Sequence, residues 1–268
     1  MSAESSAGGP APGEPRGGAD ASGEPRGGAD ASGEPRGGAD ASGEPRGGAD
    51  ASGEPRDPGN APDRVVGVGP HPEPWPTDPH LDPELLAAGD RRNVEDRFRY
   101  WRREAIVAEL DTRRHDVHVA IENLDHDANI GSVVRTANAF AVGAFHIVGR
   151  RRWNRRGAMV TDRYQHEIHH PDAADLVAWA RREGRPLVAI DLVPGAMPIE
   201  RTPLPRDAVL VVGQEGPGVS PELLAAADLV VGITQFGSTR SINVAAAAAI
   251  AMHTWILQHA EVPEGPLR

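Results

Sequence analysis

The sequence contains no cysteine, which excludes disulfide bonds and zinc sites built from thiolates. No apolar stretch approaches the ~20 residues of a membrane span, and the start of the chain lacks the basic and apolar regions of a signal peptide. Positive charge is also scarce, since 28 Lys+Arg stand against 39 Asp+Glu and the formal net charge is -11. That balance argues against a general nucleic-acid-coating protein, so nucleic-acid binding would need a local basic patch. We expect a cytoplasmic protein with no membrane partner.

The N-terminal part of the chain is a polar repeat. The ten-residue unit GEPRGGADAS begins in tandem at Gly13, Gly23, Gly33 and Gly43, with a degraded copy at Gly53. The tract contains no large apolar residue, so nothing offsets the entropy of ordering it, and the unit is too short and polar for a solenoid. We predict a disordered tail with a proline-rich linker over residues 1–81, a helical extension over 82–115, a main domain over 116–260 and a C-terminal tail over 261–268.

The predicted extension carries apolar residues at helical spacing. Asn93 is a suitable N-cap, and the recurring apolar positions are Val94, Phe98, Trp101, Ala105 and Ala108. This pattern predicts one amphipathic helix that begins at Asn93, whose apolar face packs on the core.

Beyond Asp116, apolar strands alternate with helices. The predicted strands are 117–121, 145–148, 187–190, 208–212 and 229–233. The predicted helices follow Gly131, cover 172–182, follow Ser220 and cover 243–259. Continuous apolar strands that alternate with helices indicate an α/β fold, a mainly parallel sheet with helices on both faces. Ligands bind such sheets at the carboxyl ends of the strands.

Two familiar kinds of ligand site fit the sequence poorly. His166 and His170 complete an H-E-x-x-H string, which would indicate a zinc peptidase if it lay on a helix. Pro171 follows at once and Ile168 suits a strand, so we keep the zinc peptidase only as a remote alternative and expect no metal. The chain also lacks the G-x-G-x-x-G of dinucleotide sites and the lysine of a P-loop.

Three glycine-bearing segments follow predicted strand ends, at 129–137, 213–218 and 233–244. Glycine lets a backbone approach a ligand closely, and a pocket rich in main-chain donors with apolar walls suits an adenosine-like group. Tight turns alone would also use such glycines. The segments read N-x-G-x-x-x-R-T-A, G-Q-E-x-x-G-V-S and I-x-x-x-G-x-x-x-S-I-N-V.

These segments, in order and spacing, closely resemble the three motifs of the TrmH/SpoU branch of the SPOUT RNA methyltransferases. The resemblance covers roughly residues 117–259. It implies a C-terminal trefoil-knotted α/β fold, S-adenosylmethionine as methyl donor and 2'-O-methylation of RNA ribose. It also implies a homodimer whose active sites draw on both subunits.

The resemblance assigns roles to individual residues. It places around the target ribose and the methyl group Asn129, Arg135, Glu215, Ser241 and Asn243. It places against the cofactor Ile190, Gly213, Gly218, Ile233, Ile242 and Val244. Because a guanidinium keeps its proton in proteins, we interpret Arg135 as a phosphate clamp that stabilises developing alkoxide charge, with Asn129 and Glu215 orienting it. The sequence departs from the family pattern at Thr234, where proline is frequent, and at Ala245, where serine is frequent.

A basic cluster follows the second predicted strand. Around Trp153 and Asn154 stand Arg150, Arg151, Arg152, Arg155 and Arg156. Guanidinium groups beside an aromatic ring and an amide suit RNA binding, although a solvated loop with a buried tryptophan would look the same.

The substrate and the assembly follow from the same resemblance. The short extension does not resemble the ribosomal-protein-like substrate domain of some relatives, which favours tRNA over rRNA. An inactive SPOUT-like RNA-binding protein is the rival hypothesis, but it would be expected to lack Arg135 or Asn243. The apolar residues Ile250, Trp255 and Ile256 of the last helix suit either the dimer contact or the core of one subunit.

Overall fold

The computed structural model describes residues 67–123, 129–262 and 264–265. The repeat tail lies outside the described residues, so its predicted disorder stays a prediction. Six helices are present in the described part of the chain, namely α1 (Pro83–Ala88), α2 (Arg103–Asp111), α3 (Ile130–Ala139), α4 (Ala173–Glu183), α5 (Pro221–Ala226) and α6 (Val244–His259). Short 3-10 turns cover Asp96–Phe98, Arg155–Ala158, Thr161–Tyr164 and Ile199–Arg201.

The described strands form one seven-stranded sheet. They are β1 (His118–Asn123), β2 (Phe145–Gly149), β3 (Glu167–His170), β4 (Leu187–Ile190), β5 (Met197–Pro198), β6 (Val209–Val212) and β7 (Leu229–Gly232). The strand order is β3-β2-β1-β6-β4-β7-β5, and every pairing between these strands is parallel. The predicted parallel α/β fold is confirmed, and the predicted strands and main-domain helices agree with the observed ones within about two residues at each end.

Both faces of the sheet are covered because the strands are apolar on both sides. On one face α3 and α6 pack against residues such as Ile121, Ile147 and Leu210. Helix α3 buries Ile130, Val133, Val134 and Ala137, the spacing of a single helical stripe. On the other face α4 and α5 pack against Ala120, Val148, Ala189 and Val211. The carboxyl ends of the central strands are therefore left at one edge, between these layers.

The N-terminal extension differs from its prediction. No continuous helix begins at Asn93; a 3-10 turn covers Asp96–Phe98 and α2 begins only at Arg103. The cause is the fully buried carboxylate of Asp90, which accepts hydrogen bonds from the Arg92 side chain at 2.7 and 2.9 Å and from the Tyr100 backbone at 2.9 Å. These bonds fix a loop, and Tyr100 adopts a positive φ of 63° that no helix accommodates.

The proline-rich stretch before residue 82 also pairs with the extension, and this pairing begins at Val68. Val68 forms an antiparallel bridge with Asp90, and the Tyr100 hydroxyl donates to the Gly69 carbonyl at 2.6 Å. The extension docks on the main domain through Arg114, which donates to the Tyr164 carbonyl at 2.6 Å and to Gln165 Oε1 at 2.7 Å.

The last helix divides its apolar residues between two environments. Trp255 is fully buried in the core and Ile256 packs against it, as the core interpretation expected. Ile250 and Leu257 are 40% and 66% exposed. Across the described ranges, no helix combines the length and the apolar character that crossing a bilayer requires.

Candidate active site

A cleft of about 630 Å³ opens at the carboxyl ends of β4, β6 and β7, within the size range of small-molecule sites. The six residues predicted to hold the cofactor all line it, namely Ile190, Gly213, Gly218, Ile233, Ile242 and Val244. Glu215, Ser241 and Asn243 line it as well. The structure thus brings two of the three glycine segments together around one cavity.

The wall of the cleft after β6 is a backbone turn that only glycine can form. Gln214 and Gly218 exchange backbone hydrogen bonds of 3.0 and 3.2 Å. A Cβ atom on Gly213 would lie 2.0 Å from the carbonyl of Gly218, far inside van der Waals contact. Gly218 has a φ of +79°, which L side chains rarely adopt. The two glycines therefore serve the shape of the cleft itself.

Asp191 holds this turn and was missed in the sequence. Its Oδ2 accepts a 2.8 Å hydrogen bond from the backbone of Val219, and its Oδ1 accepts from Leu192 at 2.7 Å. A Cβ atom on Gly218 would lie 2.4 Å from Asp191 Oδ2. The signal that could have revealed it is a carboxylate placed directly after the apolar strand β4. Asp191 ties the end of β4 to the turn after β6.

A hydrogen-bonded chain links all three glycine segments at the edge of the cleft. Asn243 Oδ1 accepts from the backbone of Ala245 at 2.9 Å and of Ala246 at 3.3 Å, which caps α6. This orients its Nδ2 to donate to Asn129 Oδ1 at 2.9 Å, and Asn129 Nδ2 donates to Glu215 Oε2 at 2.8 Å. Each amide is fixed at both ends, so the carboxylate of Glu215 is held in a defined position.

Arg135 does not join this chain. It follows Asn129 by six residues on α3, which places it on another side of the helix. Arg135 is exposed and lines a separate pocket between α3 and the extension. Asn129 and Glu215, which were expected to orient Arg135, bind each other in this subunit.

The basic cluster is divided in the same way. Arg155 donates to Asp162 and to Glu167, both at 2.8 Å, and its guanidinium lies 4.7 Å from the Trp153 ring centroid. Among the described residues the four other arginines make no ion pair, namely Arg150, Arg151, Arg152 and Arg156. Arg155 therefore organises the loop, and its four neighbours present exposed charge.

The loop that carries these arginines is fastened to α3 and β1. The buried Asn123 side chain donates to the carbonyls of Arg150 and Arg152. Gly131 of α3 lies so close to the turn Arg155–Ala158 that a Cβ atom there would be 2.6 Å from the Gly157 carbonyl carbon. The glycine of the first motif thus serves this contact and does not line the cleft.

Thr234, the first departure from the family pattern, has its own anchor. Its backbone and its hydroxyl donate to the two carboxylate oxygens of Glu200, at 2.9 and 3.0 Å. These two bonds restrain the third glycine segment at the point where proline would have restrained it.

The H-E-x-x-H string forms strand β3 and not the helix that a zinc peptidase requires. His166 Nε2 bonds Asp111 Oδ1 at 2.8 Å, whereas His170 belongs to a different set of contacts. His118 Nδ1 meets His146 Nε2 at 2.9 Å, and His146 Nδ1 meets His170 Nε2 at 2.8 Å. His170 Nδ1 reaches Asp175 Oδ2 at 2.8 Å, so the three rings form a chain that ends on a carboxylate. We call it the histidine chain.

Burial dominates the electrostatics of the histidine chain. Burial, together with the neighbouring His118 and His170, lowers the pKa of His146 to about 2. Burial also lowers the pKa of His118 to about 4. Neutral imidazoles that each donate from Nδ1 toward Asp175 satisfy every contact. All hydrogen bonds of the histidine chain therefore point toward the Asp175 carboxylate at its end.

The cleft itself fits an adenosine-containing cofactor. Its apolar wall is supplied by Ile190, Val212, Ile233, Ile242 and Val244. The side-chain oxygens of Gln214 and Gln235 line it, are buried and have no hydrogen-bond partner within the described part of the chain. Buried acceptors without partners are uncommon in native proteins, and the amino and hydroxyl groups of a nucleoside are donors that would satisfy them.

Comparisons with known proteins agree with this geometry. The model of the SpoU rRNA Methylase family matches residues 116–253. A tRNA (guanosine(18)-2'-O)-methyltransferase of Escherichia coli is 28% identical over 155 residues, which cover 56% of this chain and 68% of that protein. A Thermus thermophilus protein of the same name is 28% identical over 157 residues, covering 56% and 78%.

Solved structures share the fold. The A. aeolicus TrmH/SpoU tRNA modifying enzyme matches with a TM-score of 0.53 at 24% identity, covering 58% of this chain and 81% of that one. An AdoMet-bound rRNA methyltransferase from Sinorhizobium meliloti matches with a TM-score of 0.50 at 22% identity, covering 58% and 61%. The strand order is consistent with the knot of this fold, and the knot itself stays a prediction.

Proposed function

Because the chain belongs to the SpoU rRNA Methylase family, we propose that it transfers a methyl group from S-adenosylmethionine to a ribose 2'-hydroxyl of RNA. The observation that carries the proposal is the chain from Asn243 through Asn129 to Glu215, which joins all three motifs beside a cleft suited to adenosine. As substrate we favour tRNA over rRNA, because the relatives reported above are named for guanosine 18 of tRNA.

The residues that line the cleft would hold the cofactor. Ile190, Ile233 and Ile242 offer apolar contact to an adenine ring, and the turn at Gly213 and Gly218 offers backbone groups. When bound, S-adenosylmethionine supplies an electrophilic methyl group on a sulfonium. Asp191 would act indirectly, since its hydrogen bond to the Val219 backbone keeps the turn in the shape that the cleft needs.

The protein's contribution to the reaction would be mainly alignment. Positioning of two reactants can supply ~7–11 kcal/mol of a barrier, whereas a positioned base adds ~10²- to 10⁴-fold in rate. Glu215 and Asn129, locked together at 2.8 Å, would place the ribose, with Ser241 beside them at the rim. Arg135 would hold the neighbouring phosphate and stabilise charge that develops on the 2'-oxygen.

We further propose a homodimer in which each active site uses both subunits. Arg135 lies outside the cleft of its own subunit, so a second copy is the simplest way to bring this side chain to a cleft. The exposed apolar side chains of Ile250 and Leu257 on α6 offer a surface for that contact.

The function is tested with purified protein, labelled S-adenosylmethionine and unmodified tRNA transcripts. We expect label on a ribose 2'-oxygen, read by nuclease digestion and mass spectrometry, and none on a matched transcript with 2'-deoxyribose at the same nucleotide. Transcripts altered at guanosine 18 and rRNA fragments then establish the substrate. Label on a base, or cofactor binding without transfer to any RNA, would contradict the proposal and favour the inactive RNA-binding alternative.

The exposed arginines of the basic cluster are proposed to bind RNA phosphates. Replacing Arg151, Arg152 and Arg156 together with alanine should weaken tRNA binding and reduce the slope of log affinity against log salt by about three. The matched control is Arg155→Ala, which removes internal ion pairs at the same loop and should mainly lower the melting temperature. Fluorescence titrations at several salt concentrations provide the measurement. An unchanged dissociation constant in the triple variant would show that the cluster is a solvated loop that does not bind RNA.

A further inference from the structure

A second pocket, of about 490 Å³, lies between the N-terminal extension and α3. The extension supplies Asn93, Val94 and Phe98, and α3 supplies Arg135, Asn138 and Ala139. We call it the extension pocket. The family match begins at residue 116, so one wall of this pocket is built by a part of the chain that the family does not describe.

The floor of the extension pocket is aromatic and apolar. Phe98 and Tyr164 are 4% and 5% exposed and pack with Ile106 as a separate small core. In the same extension, Arg92 pairs with the buried carboxylate of Asp90 at 2.7 Å. A packed aromatic and apolar floor suits a flat ring system better than a flexible chain.

The rim of the pocket is polar and carries one exposed positive charge. Arg135 forms no ion pair with any other described residue. Asn138 has a buried side-chain oxygen with no hydrogen-bond partner among the described residues. The carboxylate of Glu95 also lines the rim, but it accepts a 2.9 Å bond from Arg97. An apolar floor with amides and one guanidinium matches a nucleobase that carries a phosphate.

Arg135 joins the pocket to the proposed reaction. It lines the pocket, and it is the side chain proposed above to hold the phosphate beside the methylated ribose. A nucleotide next to that phosphate would therefore be within reach of the pocket. The loop that carries Arg156 packs on the same helix through Gly131 and Gly157, so further positive charge lies beside the helix that carries Arg135.

We propose that the extension pocket binds a base of the RNA substrate that flanks the methylated nucleotide, while Arg135 holds the phosphate between them. The proposal rests on the proposed function and deepens it. It assigns the extension a part in choosing the substrate, since the base that enters is read by the amides of Asn93 and Asn138. The N-terminal extension, which lies outside the main domain, would then help to select the RNA that is methylated.

The test fills the pocket without touching its core. Ala139 is an exposed residue of α3 that lines the pocket, and Ala178 is an exposed residue of α4 on the opposite face of the sheet. Ala139→Trp is expected to raise KM for unmodified tRNA transcripts by about tenfold, the scale of one lost base contact. The Kd for S-adenosylmethionine and the melting temperature should stay near the wild-type values. Ala178→Trp should change none of these quantities.

Each remaining outcome decides the matter. An unchanged KM for Ala139→Trp would overturn the pocket while leaving the methyltransferase function intact. A shift to monomer at constant RNA affinity would overturn it too, because the pocket would then be an interface between two copies. If the wild-type protein transfers no methyl group to RNA, the proposed function is wrong. The pocket can then still be tested by binding, since equal tRNA dissociation constants for Ala139→Trp and wild type would show that it does not bind RNA.

Discussion

Replacing Arg135 with alanine is expected to lower kcat/KM for methyl transfer by about 10³-fold, the loss typical of a group that stabilises transition-state charge. The Kd for S-adenosylmethionine should remain within about twofold of the wild-type value, a difference below ~0.5 kcal/mol. The separation arises because Arg135 lies on α3 outside the cofactor cleft and makes no hydrogen bond to the residues that line it.

Two further variants identify what Arg135 does. Arg135→Lys keeps the charge but loses the planar fork, so it should recover part of the rate if the side chain clamps a phosphate. Arg182→Ala is the matched control, because Arg182 is an exposed arginine on α4, across the sheet, and its only described ion pair is 3.6 Å long. Single-turnover rates and cofactor titrations provide both quantities. Undiminished transfer by Arg135→Ala would remove the residue from the mechanism.

Acid should destabilise the folded protein strongly through the histidine chain. In the folded state the pKa of His146 is lowered to about 2 and that of His118 to about 4, primarily by burial. An unfolded histidine has a pKa near 6.5, so below that value the unfolded chain binds more protons and is stabilised. The free energy of unfolding should therefore fall by roughly 2–4 kcal/mol between pH 7 and pH 5.

Other charges near the chain do not reverse this sign. Asp116 and Asp175 favour protonation of His118 and His170, and Arg185 opposes protonation of His118 and His146, but burial is the largest cause for all three histidines. The carboxylate Asp90, with a pKa lowered to about 2, adds its own loss only below about pH 4. The loss near pH 6 therefore belongs to histidine.

Urea denaturation at pH 7, 6 and 5 measures this dependence. The variant His146→Gln removes the most deeply buried ring and should reduce the fall between pH 7 and pH 5 by about 2 kcal/mol, even if it lowers the stability at pH 7. A free energy of unfolding that is constant from pH 7 to pH 5 would show that the histidines stay exposed to solvent or already carry charge.

The main domain was predictable because its signals are local. Strands such as Val209–Val212 are continuous apolar runs, and Ser220 before Pro221 marks a helix start, with the Ser220 hydroxyl accepting from the Leu223 backbone at 3.4 Å. The meeting of Gly213 with Ile233 at one cleft also followed, since parallel strands end at one edge of the sheet.

Features that depend on distant contacts were not predictable. The apolar spacing after Asn93 indicated a helix. The buried carboxylate of Asp90 instead accepts a hydrogen bond from the Tyr100 backbone, which fixes a loop there. The histidine chain depends on the register of three parallel strands, which sets His146 beside Ala120 and Ile168. Local pattern contains no information about that register.

The position of Arg135 shows a third kind of limit. The resemblance assigns it a role through the segment N-x-G-x-x-x-R, but a motif gives order along the chain and not direction in space. Six residues along a helix turn a side chain away from the one at the start. Only coordinates show that Asn129 faces the cleft while Arg135 faces the extension.

The contact between Gly131 and Gly157 joins the arginine loop, which is proposed to bind RNA, to the helix that follows Asn129. An extra methyl group at Gly131 would meet backbone atoms at 2.6 Å, whereas one at Gly157 would meet Gly131 Cα at 3.3 Å. The contact therefore leaves no room for a side chain at Gly131 and little room for one at Gly157. We therefore expect related sequences to accept a larger residue at position 157 more readily than at position 131. A larger side chain at position 131 would shift the arginine loop relative to Asn129.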